Sequence, residues 1–504
     1  MSDLRFVPPL HPNSQLDAAR RQQDLERAAT EDFDLVVIGG GITGTGIALD
    51  AVTRGLSVVL LEAKDLAFGT SRWSSKLVHG GLRYLAKGDV GLAWESARER
   101  AVVASRIAPH LVTAIPQVVP DFAGSRRSAA LAMAGFLAGD SLRVAARTPR
   151  GVLPRARRVD RETALQLVPG MRQRDLLGAS VGWEIQLVDD ARLVIAVART
   201  AAAHGAAILT QTNATDVDPA HGSVTVNDER TGDSFTVQAR HIINAAGVWS
   251  DRLDPDLELS PSLGSHVVIP TELVGAGHGS LTVQVPGEIN RFVFALPQSD
   301  GLTYVGITDR PAPDGVVDEP SAPDSDINWI LEVLNQALER PVEPSQRVGS
   351  FAGLRPLVSS AVSDSSADIS RQHLIRRTDR LISIVGGKLT TYRRMAEDAV
   401  DQVTSRPCVT KQVALVGSGP SETRLDVPAD LWRYYGNEAP GVWDNRGSAD
   451  STVDPAVAAR LRFGRDFEGA ATPADLLDRR TRASFRPVSK DLQAYASQLV
   501  STMS

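Results

Sequence analysis

Residues 34–62 read DLVVIGGGITGTGIALDAVTRGLSVVLLE, a pattern typical of one strand–helix–strand unit. The apolar LVVI runs into a glycine turn, a helix follows, and SVVLLE has the composition of a second buried strand. Gly39, Gly41 and Gly44 occupy the G-x-G-x-x-G positions, which allow a tight turn, backbone approach to a pyrophosphate and close helix–strand packing. Glu62 ends the second strand, where a carboxylate accepts hydrogen bonds from ribose hydroxyls and disfavours a 2′-phosphate. The unit predicts a dinucleotide site, without distinguishing FAD from NAD.

Size and charge narrow the class of protein. A chain of 504 residues exceeds one ordinary core, so two or three domains are expected. Its formal net charge of −6 disfavours nucleic acid as a partner. One cysteine, Cys408, indicates a reducing compartment, and no apolar run approaches the roughly 20 residues that span a bilayer. No cluster of His, Cys, Asp and Glu has metal-ligand spacing, so no metal site is expected.

A dense polar and glycine-rich loop, FGTSRWSSKLVHGGLRYL at 68–85, follows the second strand. Further segments follow in order: DDARL at 189–193, NAAGVWS at 244–250, GSHVVIP at 264–270, GITD at 306–309, GLRPL at 353–357 and VGGKLTTYR at 385–393. Their order and spacing over roughly residues 30–405 resemble the FAD-dependent sn-glycerol-3-phosphate dehydrogenases of the D-amino-acid-oxidase-like superfamily. LLDRRTR at 476–482 also resembles that family's C-terminal domain.

The resemblance implies a mixed α/β fold with a Rossmann-type FAD-binding domain, an inserted substrate domain with a mixed or antiparallel sheet, and a C-terminal helical domain. The expected boundaries are an N-terminal arm and helix at 1–30, the oxidoreductase region at 31–405 and the helical domain at 406–504. Within the oxidoreductase region, the FAD-binding parts are about 31–110, 180–255 and 350–405. The substrate domain takes about 111–179 and 256–349.

The resemblance also implies which residues contact FAD, and the glycines among them suit a flat ring that leaves little room for side chains. The helix predicted to start after Gly387 would offer its N–H groups to the negative charge that develops on the reduced flavin. The expected cofactor contacts are Gly39, Gly41, Gly44, Glu62, Ser71, Ser75, Lys76, His79, Gly80, Gly81, Gly247, Gly386, Gly387, Lys388, Leu389 and Thr390.

The substrate positions carried over from the family are Arg83, Tyr84, Arg355 and Lys388. A dianionic phosphate needs fixed cations, and arginine offers a planar fork of donors. His266 lies in an apolar stretch and is the candidate general base, with a buried structural histidine as the equally weighted alternative. If His266 is not the base, Arg355 or Lys388 would polarise the alkoxide, so these three form the expected catalytic set.

The activity implied is oxidation of sn-glycerol 3-phosphate to dihydroxyacetone phosphate by hydride transfer from C2 to N5 of FAD, with a quinone as final acceptor. Peripheral attachment to the inner face of the cytoplasmic membrane is implied as well, and a homodimer is left open. The stretch 125–161 supports an anionic membrane surface as partner, because an arginine-rich segment there encloses the apolar AALAMAGFLAG, although a solvated loop is the alternative.

Some positions depart from the family pattern. Leu263 stands where lysine is usual, Ile307 replaces a threonine, WEIQLV at 183–188 lacks the customary tyrosine and aspartate, and the C-terminal domain is short. Three alternatives therefore stay open: a glycerol-3-phosphate oxidase that uses O₂, an FAD oxidoreductase for another hydroxy acid or amine, and an inactive flavin-binding paralogue.

Overall fold

The computed structural model describes residues 4–81, 85, 88–124, 126–275, 277–288, 291–312, 314–358, 373–421, 423–447 and 452–501. The strands are β1 Asp32–Ile38, β2 Val58–Leu61, β3 Leu77–Val78, β4 Val112–Phe122, β5 Arg157–Asp160, β6 Leu176–Leu187, β7 Ala207–Leu209, β8 Thr212–Asp218, β9 Ser223–Asp228, β10 Ser234–Asn244, β11 Ser262–Pro270, β12 Ser280–Gln284, β13 Phe292–Pro297, β14 Leu302–Gly306, β15 Arg310–Pro311, β16 Gly349–Arg355, β17 His373–Thr378 and β18 Leu381–Gly386. The α-helices are α1 Ala18–Thr30, α2 Ile42–Thr53, α3 Val90–Val102, α4 Arg126–Ala145, α5 Arg161–Leu167, α6 Asp190–Ala203, α7 Asp324–Asn335, α8 Tyr392–Val400, α9 Ala429–Tyr435, α10 Ala439–Asp444, α11 Pro455–Phe467 and α12 Lys490–Ser501.

The first sheet has eight strands, with β17-β18-β10-β1-β2-β7 as its main order and the β8–β9 pair attached to β10. The central pairs β18–β10, β10–β1, β1–β2 and β2–β7 are parallel. Apolar residues cover both faces of β1 because helices α2, α6 and α8 pack on one face and α1 with β8 and β9 covers the other. The predicted Rossmann-type unit is confirmed, and its sheet is assembled from segments far apart in the chain.

The second sheet has ten strands, with β15-β11-β14-β13-β12-β4-β6-β3 as its main order, β16 on β11 and β5 on β6. Its pairs are antiparallel except for β12 with β4, and α7 packs against its apolar face. This is the expected mixed sheet of the substrate domain. The finer division of the chain stays a prediction, and β6 and β16 each straddle an expected boundary, at 180 and 350.

The C-terminal segment is helical, as expected, and it is tied to the first sheet by buried ion pairs. Asp65, four residues after β2, accepts hydrogen bonds from Arg479 Nε at 2.6 Å and Arg480 Nη1 at 2.8 Å. Arg482 lies 2.8 Å from Asp189, the residue that caps α6. Arg479, Arg480 and Arg482 all lie in the LLDRRTR segment, so that motif joins the C-terminal helices to the nucleotide-binding unit.

No helix within the described residues combines the length and the apolar character needed to cross a membrane.

Candidate functional site

The glycine turn between β1 and α2 is built so tightly that side chains are excluded at two positions. Gly39 has a φ of 111°, and a Cβ there would lie 2.6 Å from the carbonyl oxygen of Ala245. A Cβ on Gly44 would lie 1.9 Å from the carbonyl oxygen of Gly39, so α2 can approach β1 closely only with glycine. Gly41 differs, because its backbone is extended and the nearest atom to a Cβ is Ser71 Oγ at 3.1 Å. Its missing side chain leaves space in front of the α2 N-terminus.

Glu62 closes the turn from the end of β2. Its Oε2 accepts a hydrogen bond from the Gly40 amide at 2.6 Å and its Oε1 accepts one from the Lys64 amide at 2.8 Å. Burial raises the pKa of this carboxyl to about 7, despite the two amides that favour the ionised form. The carboxylate thus braces the glycine turn and also faces the adjoining cavity.

One cavity of about 1020 Å³ extends from the glycine turn to Arg355 and Lys388. It is at the upper end of the roughly 300–1,000 Å³ found for small-molecule sites. Of the residues expected to contact the cofactor, those on its walls are Gly39, Gly41, Glu62, Ser71, Ser75, His79, Gly247, Gly386, Gly387, Lys388, Leu389 and Thr390. Gly44 lies behind the wall, in the packing role described above.

The walls fit a dinucleotide of the FAD type. Gly41 and Ile42 place the positive end of α2 against the cavity, where a pyrophosphate would be stabilised. Gly247 has a φ of 61° and no atom within 4 Å of a built Cβ, so bare backbone faces the cavity there. Gly386 and Gly387, with φ of 83° and 72°, form a second bare stretch before the helical turn Leu389–Thr391 that leads into α8. Two stretches of glycine backbone and the N-terminus of α2 therefore line one cavity.

The loop after β2 divides into residues that face the cavity and residues that support it. Ser71 Oγ accepts a hydrogen bond from the Ile42 amide at 2.9 Å, which links the loop to the start of α2. Lys76 was expected to contact FAD, and this is wrong for its side chain. Its ammonium is fully buried and donates to Asp190 at 2.8 Å and to the Arg72 carbonyl oxygen at 2.7 Å, away from the cavity walls.

Gly80 and Gly81 also lie off the walls that the described residues form. The Gly80 amide donates to Glu184 at 3.1 Å, and a Cβ on Gly80 would lie 2.3 Å from a guanidinium nitrogen of Arg100. Arg100 in turn donates to Glu184 at 2.7 Å. Gly80 therefore allows the chain to pass over a buried ion pair, which differs from the expected contact with the cofactor. Arg83 and Tyr84, expected to bind substrate, lie outside the described residues.

Arg355 reaches the cavity with its guanidinium already anchored. Nη1 donates to Asp309 at 3.3 Å and to Ser262 at 3.2 Å, and Nη2 donates to the Thr308 carbonyl oxygen at 3.1 Å. Asp309 also lines the cavity. The planar fork is thereby fixed in orientation, as a group that recognises a phosphate or polarises an oxygen needs to be.

His266 does not reach the cavity walls, so the structure does not place it where a general base would contact substrate. The side chain is fully buried on β11, stacks on Phe351 at 4.5 Å and places Nε2 2.9 Å from the hydroxyl of Ser75. Burial, followed by the charges of Lys76 and Arg355, lowers the pKa of the imidazole well below 6.5. The alternative of a structural histidine, left open by the sequence, matches this environment.

Lys388 lies on the cavity wall at the start of the turn into α8. Its ammonium donates to the hydroxyl of Ser96 on α3 at 2.7 Å. The structure thus brings Lys388, Arg355 and the glycine turns around one cavity and leaves His266 behind its wall.

Sequence reasoning missed Asp309, Glu184 and Ser96. Asp309 belongs to the GITD segment, and its acidic side chain shortly after a strand is a signal that the sequence offers. Ser96 lies in a helix without a distinguishing motif, and its proximity to Lys388, 292 positions later, depends on tertiary packing.

Comparisons with known proteins show which family this chain is similar to. The family model described as FAD dependent oxidoreductase matches residues 34–389. Glycerol-3-phosphate dehydrogenase 1 of Mycobacterium tuberculosis (strain ATCC 25618 / H37Rv) is 46% identical over 495 residues, which cover 94% of this chain and 95% of the relative. The probable mitochondrial glycerol-3-phosphate dehydrogenase of Dictyostelium discoideum is 32% identical over 96% of this chain and 82% of its own length. A solved glycerol-3-phosphate dehydrogenase from Bacillus halodurans, complexed with FAD, superposes with a TM-score of 0.73 at 28% identity, covering 93% of this chain and 90% of that one.

Proposed function

This chain belongs to the family of FAD-dependent glycerol-3-phosphate dehydrogenases, and we propose from that premise that it oxidises sn-glycerol 3-phosphate to dihydroxyacetone phosphate. The observation that carries the proposal is the single cavity that joins the glycine turn to Arg355 and Lys388. A dinucleotide and a small phosphorylated alcohol could share that space. Bound FAD supplies the acceptor for the hydride that leaves C2.

The chain's own residues bind and polarise the substrate. Arg355, fixed by Asp309 and Ser262, offers a guanidinium fork to a phosphate or to the oxygen on C2. Lys388 adds a second positive charge on the same wall. Two fixed cations stabilise the negative charge that develops on the C2 oxygen as its proton leaves.

The proton of the C2 hydroxyl passes to solvent and not to His266, because a buried imidazole beside Lys76 and Arg355 resists acquiring charge. Ser75 stands between His266 and the cavity, and its hydroxyl orientation is set by the imidazole. The role of His266 is therefore to hold Ser75 in place on the wall.

A substrate panel tests the assignment. Purified holoprotein is mixed anaerobically with sn-glycerol 3-phosphate, glycerol, glycerol 2-phosphate and a set of hydroxy acids and amines, and bleaching of the flavin is followed. Rapid bleaching by sn-glycerol 3-phosphate alone supports the proposal. Equal bleaching by glycerol, or bleaching by a hydroxy acid or amine instead, would reassign the substrate, and no bleaching by any of them would favour the inactive paralogue.

For the final acceptor we favour a quinone over O₂. The cavity has an apolar arm formed by Leu131, Ala132 and Phe136 of α4 together with Phe292 and Phe294 of β13. An apolar acceptor ring matches this lining, and O₂ requires no such arm. Anaerobic turnover with a quinone analogue, set against oxygen consumption and peroxide release, separates the dehydrogenase from the oxidase.

The same helix supports peripheral attachment to the inner face of the cytoplasmic membrane. Leu137 and Val144 lie seven residues apart on one face of α4 and are 46% and 62% exposed. Exposed arginines follow the helix at 147, 150, 155, 157, 158 and 161. An apolar helical face beside a basic rim matches an anionic lipid surface. The homodimer stays a prediction, which a sedimentation measurement checks.

A further inference from the structure

Helix α3 presents three buried polar side chains from one helical face to residues on and behind the cavity walls. Ser96, Glu99 and Arg100 are spaced i, i+3 and i+4, so they lie side by side. Ser96 accepts from Lys388, Glu99 accepts two hydrogen bonds from Arg393 at 2.7 and 2.6 Å, and Arg100 donates to Glu184. One helix thus contacts both the turn that bears Lys388 and the strand that bears Glu184.

The hydroxyl of Ser96 donates one hydrogen bond and accepts another. It donates to the carbonyl oxygen of Leu92, one turn earlier, at 2.7 Å, and it accepts from the Lys388 ammonium at 2.7 Å. The side chain is fully buried. Since its own proton is directed to Leu92, the hydroxyl oxygen presents a lone pair to Lys388 in a fixed direction.

The backbone that carries Lys388 is fixed independently. Gly387 has a φ of 72°, and a Cβ there would lie 2.4 Å from the sulfur of Met395. Arg393, five residues after Lys388, is 2% exposed and is held by Glu99. What the backbone leaves undetermined is the direction of a long flexible side chain, and a lysine side chain has no rigid fork to restrict it.

We propose that Ser96 is a positioning residue: it determines where the ammonium of Lys388 lies along the cavity wall. The proposal rests on the proposed function in so far as Lys388 acts on the substrate. A displacement of about 1 Å in a substrate-positioning group can lower a rate about a hundredfold, so losing the hydrogen bond from Lys388 to Ser96 is expected to lower kcat/KM for sn-glycerol 3-phosphate roughly tenfold.

The variants are Ser96→Ala, Ser96→Thr and a matched control, Ser418→Ala. Ser418 is also buried, and its hydroxyl donates to the Ile107 carbonyl oxygen at 2.8 Å and lies 3.1 Å from His110 Nδ1, none of which lines the cavity. Ser96→Ala should lower kcat/KM about tenfold while FAD content and melting temperature match those of Ser418→Ala. Ser96→Thr, which keeps the hydroxyl, should recover most of the loss.

A double-mutant cycle with Lys388→Met tests whether Ser96 acts through Lys388. If Ser96 acts through Lys388, Ser96→Ala has no further effect when the ammonium is absent. An equal loss in both backgrounds, or no recovery with threonine, would overturn the proposal.

A readout that needs no substrate separates this proposal from the assignment of activity. Labelling with an amine-reactive reagent, read by mass spectrometry, should increase at Lys388 in Ser96→Ala and stay constant at Lys64 and Lys411. If sn-glycerol 3-phosphate fails to bleach the wild-type flavin but the labelling changes as stated, the activity is wrong and the positioning role stands. Unchanged labelling of Lys388 would overturn the positioning role whatever the substrate.

Discussion

The hydroxyl of Ser75 lies 2.9 Å from Nε2 of His266, and of the two residues only Ser75 is on the described cavity wall. This order makes the histidine a support for the serine. A direct general base would need its imidazole within hydrogen-bond reach of the substrate. The two roles differ in their dependence on pH.

His266→Asn should leave the inflections of the pH profile of kcat/KM between pH 6 and 9 unchanged, because an imidazole with a pKa well below 6.5 stays neutral throughout. Removal of a true general base typically costs 10²–10⁴-fold, whereas loss of a support for Ser75 should cost about tenfold or less. A pH–rate profile of both proteins checks this. Loss of an inflection near neutrality in the variant would restore His266 as the base.

The lowered pKa of His266 also makes the thermal stability of the protein depend on pH. The folded pKa is below the unfolded value of 6.5, so the stabilisation from neutral His266 is complete above pH 6.5 and is lost as pH falls below it. Wild-type protein should therefore lose more thermal stability than His266→Asn between pH 7.5 and 5.5. Parallel melting curves would contradict the burial of the imidazole.

Gly41→Val should give a folded, colourless protein. The backbone at Gly41 suits any residue, and a side chain there would enter the space in front of α2 that a pyrophosphate needs. Gly44→Ala is the contrasting variant, because its Cβ would meet the Gly39 carbonyl oxygen at 1.9 Å and destabilise the fold itself. FAD content and circular dichroism together check both. Normal FAD occupancy in Gly41→Val would remove the glycine turn from the cofactor site.

The nucleotide-binding unit was predictable because its signals are local. Glycine positions, strand and helix periodicity and the terminal Glu62 all lie within 34–62, and each constrains the backbone directly. The roles of Lys76 and His266 were not predictable in the same way. Whether a residue of a polar loop faces the cavity or Asp190 depends on a helix more than a hundred positions later, and no local pattern records that packing.

Arg355→Ala should raise KM for sn-glycerol 3-phosphate roughly 10- to 150-fold. A charge-assisted hydrogen bond is worth about 1.5–3 kcal/mol, and Arg355 is held in orientation by Asp309 before any ligand binds. Arg347→Ala is a suitable control, because Arg347 pairs with the exposed Asp324 away from the cavity walls. Steady-state kinetics measure both. A similar KM in Arg355→Ala and wild type would exclude Arg355 from phosphate recognition.

Glu62 should make the apoprotein less stable as pH rises. Burial raises its folded pKa to about 7, above the 4.5 of an ordinary glutamate, so the protonated form is favoured in the folded state. The resulting stabilisation is present below pH 4.5 and is lost as pH rises through 7. Glu62→Gln cannot titrate and should lack this decline. Melting temperatures of both apoproteins from pH 5 to 8 check it, and identical pH dependence would show that Glu62 is solvated.

The surface formed by α4 and the arginines after it should bind anionic vesicles. Arg158 is unsuitable for charge reversal because it pairs with the buried Asp121, and Arg155 lies 3.9 Å from Asp140, so the test variant is Arg150→Glu with Arg157→Glu. Each basic residue near such a surface contributes about 1 kcal/mol, so the pair should weaken binding at least tenfold, and added salt should weaken wild-type binding.

Reversing Arg240 and Arg377, which are exposed on the first sheet, changes net charge equally and serves as the control. Leu137→Ser with Val144→Ser tests the apolar face of α4, because these side chains are 46% and 62% exposed and lie off the cavity walls.

Flotation with vesicles of phosphatidylglycerol and phosphatidylcholine measures all four proteins. The expected order is wild type equal to the control pair and above both α4-surface variants, because lipid contact needs charge and apolar insertion together. Equal flotation of all four proteins would show that residues 125–161 are a solvated segment. The apolar arm of the cavity would then have no link to a lipid surface.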